Sequence, residues 1–270
     1  MDRIALQWLV TAIIGSLMMA SATAEVHSKQ VRYQHKGAEL EGYLAWDDRF
    51  DGKRPGVLVV HEWWGLNDYA RSRVRQLAEQ GYVAFALDMY GAGKVTGHPD
   101  QASTWMKEIQ TNTAQWVSRA DAGLSVLRQQ ETVDPQRLAA IGYCFGGATV
   151  MQMAYAGLDI DVVGSFHGSL PVADDKALQA IKARILVAHG NADPFVPTAQ
   201  VQAFREALEK SGASWTMMEF GGVKHSFTNP SAADYELDAL AYDAQADRQS
   251  WQMLLWMLED TFKQSSNPHP

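Results

Sequence analysis

Uninterrupted apolar runs alternate along this chain with stretches of helical spacing. Val57-Leu58-Val59-Val60 sits inside a run over residues 55–61 that shows no polar alternation, the pattern of a strand buried on both faces. Residues 82–88, 137–143, 161–167, 183–189 and 214–220 repeat it. Between them, residues 69–80 (stopped by Gly81), 113–130 and 197–210 carry helical periodicity, and 232–263 carries it further, as one helix or two. Near the start, residues 29–35 and 39–46 flank Lys36-Gly37-Ala38 as an antiparallel hairpin. The pattern predicts an α/β fold: a mostly parallel central sheet, an N-terminal antiparallel hairpin, and helices on both faces. Residues 91–111, rich in glycine and polar side chains, are expected to form a surface excursion near the mouth of a site. No repeat or linker divides residues 25–270, so one domain is expected there.

The N-terminal stretch is excluded from this reading. Residues 4–19 are apolar apart from Gln7, Thr11 and Ser16, with Arg3 before them and Ala20-Ser21-Ala22-Thr23-Ala24 after them. This is the pattern of a secretory signal peptide over residues 1–24, cleaved after Ala24. The run is short and polar-interrupted against the ~20 apolar residues of a membrane span. A periplasmic or secreted protein follows, with no stable membrane association after cleavage.

Composition narrows the chemistry. A formal charge of −8 disfavours nucleic acid or anionic membrane as the main partner. The one cysteine, Cys144, cannot form an internal disulfide, so it is either an inert buried thiol or a reactive one.

Its neighbours favour reactivity. Residues 138–142 read as a strand running into Tyr143-Cys144-Phe145-Gly146-Gly147, and residues 148–156 as the helix that follows. This is the nucleophile-elbow pattern G-x-S-x-G with cysteine in place of serine. Glycines let neighbouring backbones approach a strained strand-to-helix turn, and a helix N-terminus favours a thiolate. The backbone NH of Phe145 would face a developing oxyanion.

On such an elbow the acid and the histidine follow the nucleophile in the chain. Asp193 lies in the Gly/Asn/Pro-rich loop after the strand at 183–189, placed to hold an imidazole through Nδ1–H. His225 lies in a glycine-flanked loop after the last strand and is the best-placed base. In the loop after the first long buried strand, the NH of Trp63 or of its neighbour is a candidate second oxyanion donor. Glu62 there faces the thiol either as its partner or as a loop carboxylate held by a basic side chain.

Taken together, His61-Glu62-x-x-Gly65-x-Asn67, Asp88-Met89-Tyr90, Gly142-Tyr143-Cys144-Phe145-Gly146-Gly147, Phe166-His167-Gly168, His189-Gly190-x-x-Asp193 and His225-Ser226-Phe227 resemble the dienelactone hydrolase family. The resemblance spans essentially all of residues 25–270, in order. It implies an α/β-hydrolase fold and a Cys144–Asp193–His225 triad. It also implies that Glu62 partners the resting thiol and that the NH groups of Trp63 and Phe145 form the oxyanion hole. Trp64, Tyr90, His167 and Phe227 are expected to line the substrate pocket. The chain departs from the best-known members where they hold a substrate carboxylate with arginines: it has Thr228-Asn229-Pro230 and Gly91-Ala92-Gly93-Lys94 instead.

The expected protein is a monomeric hydrolase of small esters or lactones with no cofactor and no metal site, since H-x-x-x-H-type spacing is missing. The alternative is a non-catalytic exported binding protein on the same scaffold. That reading leaves Cys144 unreactive.

Overall fold

The structure, a computed structural model, describes residues 26–266. The expected signal peptide lies outside the described residues. Eight strands form one sheet: β1 (Val26–His35), β2 (Ala38–Asp47), β3 (Arg54–Val60), β4 (Val83–Leu87), β5 (Val133–Tyr143), β6 (Val162–Phe166), β7 (Arg184–Gly190) and β8 (Trp215–Phe220). Their order is β1-β2-β4-β3-β5-β6-β7-β8. The hairpin strands pair antiparallel, β2 pairs antiparallel with β4, and every later pairing is parallel.

Parallel strands need crossover helices, and these bury both faces. Side chains alternate along β3: Leu58 and Val60 lie on the sheet face covered by α3 (Thr113–Arg128), α4 (Phe145–Tyr155) and, farther along, α6 (Thr198–Ser211), while Val57 and Val59 lie on the face covered by α1 (Asp68–Glu79) and, farther along, α7 (Ala244–Ser266). All four are fully buried. Truncating Leu58 to Ala is therefore expected to cost about 2–5 kcal/mol.

The uninterrupted apolar runs became the inner strands. The excursion at 91–111 is more ordered than its composition suggested, because it contains α2 (Pro99–Gln110), opened by Pro99 and burying only Ala102. A short α5 (Asp175–Gln179) went unanticipated, and 232–263 divides into a 3-10 turn at Ala232–Tyr235 and α7. Because β3, β5, β6, β7 and β8 run parallel, the loops after them gather at one sheet edge, where ligands bind in such folds.

Candidate active site

Cys144 stands between β5 and α4 with φ +55° and ψ −114°, a conformation that L-residues rarely adopt. The glycines around it make the turn possible. A Cβ on Gly142 would lie 2.1 Å from the Gly146 carbonyl oxygen, and one on Gly146 2.1 Å from the Val60 oxygen. On Gly147 it would meet Ser165 Oγ at 2.7 Å. The elbow is thus wedged against the backbone of β3 and the Ser165 side chain of β6, and the first turn of α4 directs its unpaired NH groups past the thiol.

His225 reaches the thiol from the loop after β8. Its Nδ1 is 2.6 Å from Asp193 Oδ2, and Asp193 Oδ1 accepts from the Phe195 NH at 2.8 Å. The loop is pinned by backbone bonds from His225 N to Ala239 O and from Ala241 N to His225 O. Burial works against a charged imidazole here. The charge and hydrogen bond of Cys144, with the bond and charge of Asp193, outweigh it and push His225 up to about 10. The arrangement favours an imidazolium held between the Cys144 sulfur and the Asp193 carboxyl group.

Two other buried histidines take the opposite state. His167, at φ +40°, accepts from the Cys144 NH through Nδ1 at 3.1 Å. Burial and then the neighbouring His225 charge hold it well below the usual imidazole range, so it is neutral. With Nδ1 accepting, Nε2 carries the proton and donates to Thr228 Oγ1 at 2.7 Å. Thr228 in turn meets Tyr69 Oη at 2.5 Å. Arg73 donates to the Thr228 carbonyl (2.5 Å) and to Asp247 (2.6 Å). His61 is likewise lowered by burial, donating from Nδ1 to the Glu62 carbonyl and accepting the Met89 NH at Nε2. It ties the end of β3 to that of β4.

A cavity of about 300 Å³ opens over Cys144 and His225. Trp63, Phe145, Met106, Phe195 and Leu240 supply its apolar wall. Among the described residues no group of three or more His, Cys, Asp or Glu is placed to hold a metal ion.

Residues 40–262 match the family model described as the dienelactone hydrolase family. The chain belongs to the dienelactone hydrolase family. Protein usf of Aquifex pyrophilus is 30% identical over 224 residues, covering 80% of this chain and 94% of that one. A protein of Aquifex aeolicus, provisionally named carboxymethylenebutenolidase, is 29% identical over 231 residues, covering 83% and 95%. A solved dienelactone hydrolase-like promiscuous phosphotriesterase from metagenomic libraries superposes with TM-score 0.85 at 34% identity, over 87% of this chain and 98% of that one. This dienelactone hydrolase-family chain is a hydrolase with the α/β-hydrolase fold.

Within the family framework, several expected side chains sit elsewhere. Glu62 was expected beside the resting thiol. It is fully buried instead with Oε1 accepting from Ser226 Oγ and Oε2 from Asn229 Nδ2, both at 2.7 Å, and the group that meets Cys144 is His225. Burial raises the Glu62 carboxyl and those two bonds lower it in part. Trp64 faces away from the cavity, stacked on Tyr235 at 3.9 Å, while its neighbour Trp63 lines the wall. Phe227 packs edge-on against His167 and Phe220 below the surface. Tyr90 lies behind the wall, stacked on Phe145. His167 is under the elbow rather than in the pocket.

Met106, Gln110, Phe195 and Leu240 entered the cavity unforeseen. Phe195 carried a usable signal, an aromatic side chain inside a polar turn beside Asp193. It is half exposed and meets His225 edge-on at 5.1 Å.

Proposed function

We propose that this chain hydrolyses small carboxylic esters or lactones through a thioester on Cys144. The supporting observation is a lone thiol held at φ +55° on the elbow, beside an imidazole whose other nitrogen is 2.6 Å from a buried carboxylate. Thiolate Sγ adds to the acyl carbon, and the NH groups of Trp63 and Phe145 take the charge that develops on oxygen. The C–O bond breaks as His225 Nε2 gives its proton to the departing alkoxide. Water then attacks the thioester while His225, now neutral, takes the water's proton. The C–S bond breaks, the acid leaves, and the thiolate–imidazolium pair returns. Asp193 keeps Nδ1 protonated and stabilises the imidazolium throughout.

Glu62 stands outside this proton path, because its oxygens are occupied by Ser226 and Asn229. Ser226 follows His225 directly and has φ +55°, so Glu62 acts by holding the base loop in a strained turn. The N-terminal signal pattern supports a periplasmic or secreted location, and the proposed steps use no cofactor. The competing reading, a binding protein, leaves the paired His225 and Asp193 without a role.

Turnover of short acyl esters, lactones and neutral aryl phosphotriesters by the parent and by Cys144→Ala tests the proposal. The parent should hydrolyse esters or lactones, and Cys144→Ala should lose at least about 10³-fold in kcat/KM. A parent with no turnover, or an Ala variant as active as the parent, contradicts it.

A further inference from the structure

The charges around the cavity point to its substrate class. Its apolar wall (Trp63, Met106, Phe145, Phe195, Leu240) is completed by two uncharged polar residues, Gln110 and Ser169, so no lysine or arginine is among the described residues lining it. The charged groups at the floor are those of the triad: Cys144 and His225 share one proton between them and are neutral as a pair, so the Asp193 carboxylate, 2.6 Å from His225 Nδ1, leaves the assembly anionic.

Cations of the adjacent elements are committed elsewhere. Lys94 lies over the Trp105 ring at 5.8 Å, Arg119 donates to the Met89 carbonyl, and Lys107 is on the exposed side of α2. Arg73 is buried behind the elbow with Asp247. The N-terminus of α4 offers a favourable field, but it is directed at Cys144 and the reaction oxyanion. A carboxylate on the substrate would lose its hydration, find no cation apart from the imidazolium already held by Asp193, and face that carboxylate's like charge.

We infer, resting on the ester-hydrolase reading, that the cavity selects neutral substrates with a small apolar acyl group and discriminates against esters or lactones that carry a carboxylate. Its volume of about 300 Å³ is at the small end of ligand pockets. Met106 and Gln110, both from α2, are the specificity-determining positions, because they line the cavity from an element that carries no triad residue and no proposed oxyanion donor.

The experiment compares para-nitrophenyl heptanoate with para-nitrophenyl hydrogen adipate, which share a leaving group and nearly the same acyl length. Each rate is corrected for uncatalysed hydrolysis. The neutral ester should have kcat/KM about tenfold or more above the anionic one at low salt. The gap should narrow as ionic strength rises from about 0.01 to about 1 M, because screening weakens the repulsion while the neutral substrate is unaffected by charge. Met106→Arg, checked for folding by circular dichroism, should move the anionic-to-neutral ratio up by about tenfold.

Equal rates on the two esters in the parent, or a ratio that salt does not change, overturn the inference whatever the variant does. If the parent cleaves neither ester and no other ester or lactone, the underlying hydrolase reading falls, and this inference with it.

Discussion

Behind Cys144, His167 has both ring nitrogens bonded and Arg73 all three guanidinium nitrogens, and each residue is almost wholly buried. In front of it, α2 buries a single alanine and presents Met106 and Gln110 to the cavity. Removing either side chain from the rear wall leaves buried donors or acceptors among its neighbours unpaired. In the front wall Met106 is only partly buried and packs against apolar neighbours, so it can be repacked at little cost. The contrast separates two tasks: the rear fixes the geometry of the reaction, and the front sets what is admitted to it.

The comparison is tested most severely at the triad. Asp193→Asn should lower kcat/KM by about 10²–10⁴-fold, because it removes the carboxylate that orients the imidazole and stabilises its charge. It should also move the alkaline limb of the pH–rate profile down from about 10, since one of the charges that raises His225 is gone. The same shift has a stability consequence. Folded His225 holds its proton above its unfolded value near 6.5. Its contribution is complete below about pH 6.5 and is lost as pH rises through about 10. Denaturant titrations of the parent and Asp193→Asn between those limits should therefore converge at high pH.

One step back from the chemistry, His167→Ala should lower kcat by about 10- to 100-fold with KM little changed, and cost about 2–3 kcal/mol of stability. The Cys144 NH keeps its bond to the Phe166 carbonyl, so the fold survives while the elbow loses its second acceptor. His167→Asn offers an oxygen near the Nδ1 position and should recover part of kcat. If Ala and Asn behave alike, His167 only fills space.

The smallest effect is expected at the front. Met106→Ala should change KM for the longer acyl esters by about 2- to 10-fold, leave kcat within about 2-fold, and cost less than about 1 kcal/mol, since the side chain is only partly buried. A loss of kcat as large as that of His167→Ala would erase the distinction between the walls.

The same contrast explains what the sequence made legible. Inner strands were readable because both of their faces are buried, which leaves unbroken apolar runs such as 57–60. The elbow was readable because backbone clearance admits only glycine at 142 and 146, and that constraint is written directly in residue type. α2 was legible in the spacing of Ala102, Trp105, Met106 and Ile109, but the glycine-rich, polar residues 91–98 ahead of it coloured the reading of the whole stretch. Trp63 and Trp64 are identical neighbours with rings 4.8 Å apart, yet Trp63 lines the cavity while Trp64 stacks on Tyr235, and residue type alone does not say which one meets a cavity. Glu62 is the same kind of case: a buried carboxylate near a thiol was foreseeable, but its partners Ser226 and Asn229 come from a loop more than 160 residues away.

The central claim is that Cys144 becomes acylated. The direct measurement is intact mass of the purified protein, quenched in acid within seconds of mixing with an activated ester such as para-nitrophenyl acetate, alongside Cys144→Ala and Asp193→Asn. The account predicts one added acyl group on the parent that decays as product forms, no such adduct on Cys144→Ala, and slower gain and decay on Asp193→Asn. Ester turnover by the parent with no acyl adduct under any quench, or an equal adduct on Cys144→Ala, would contradict it.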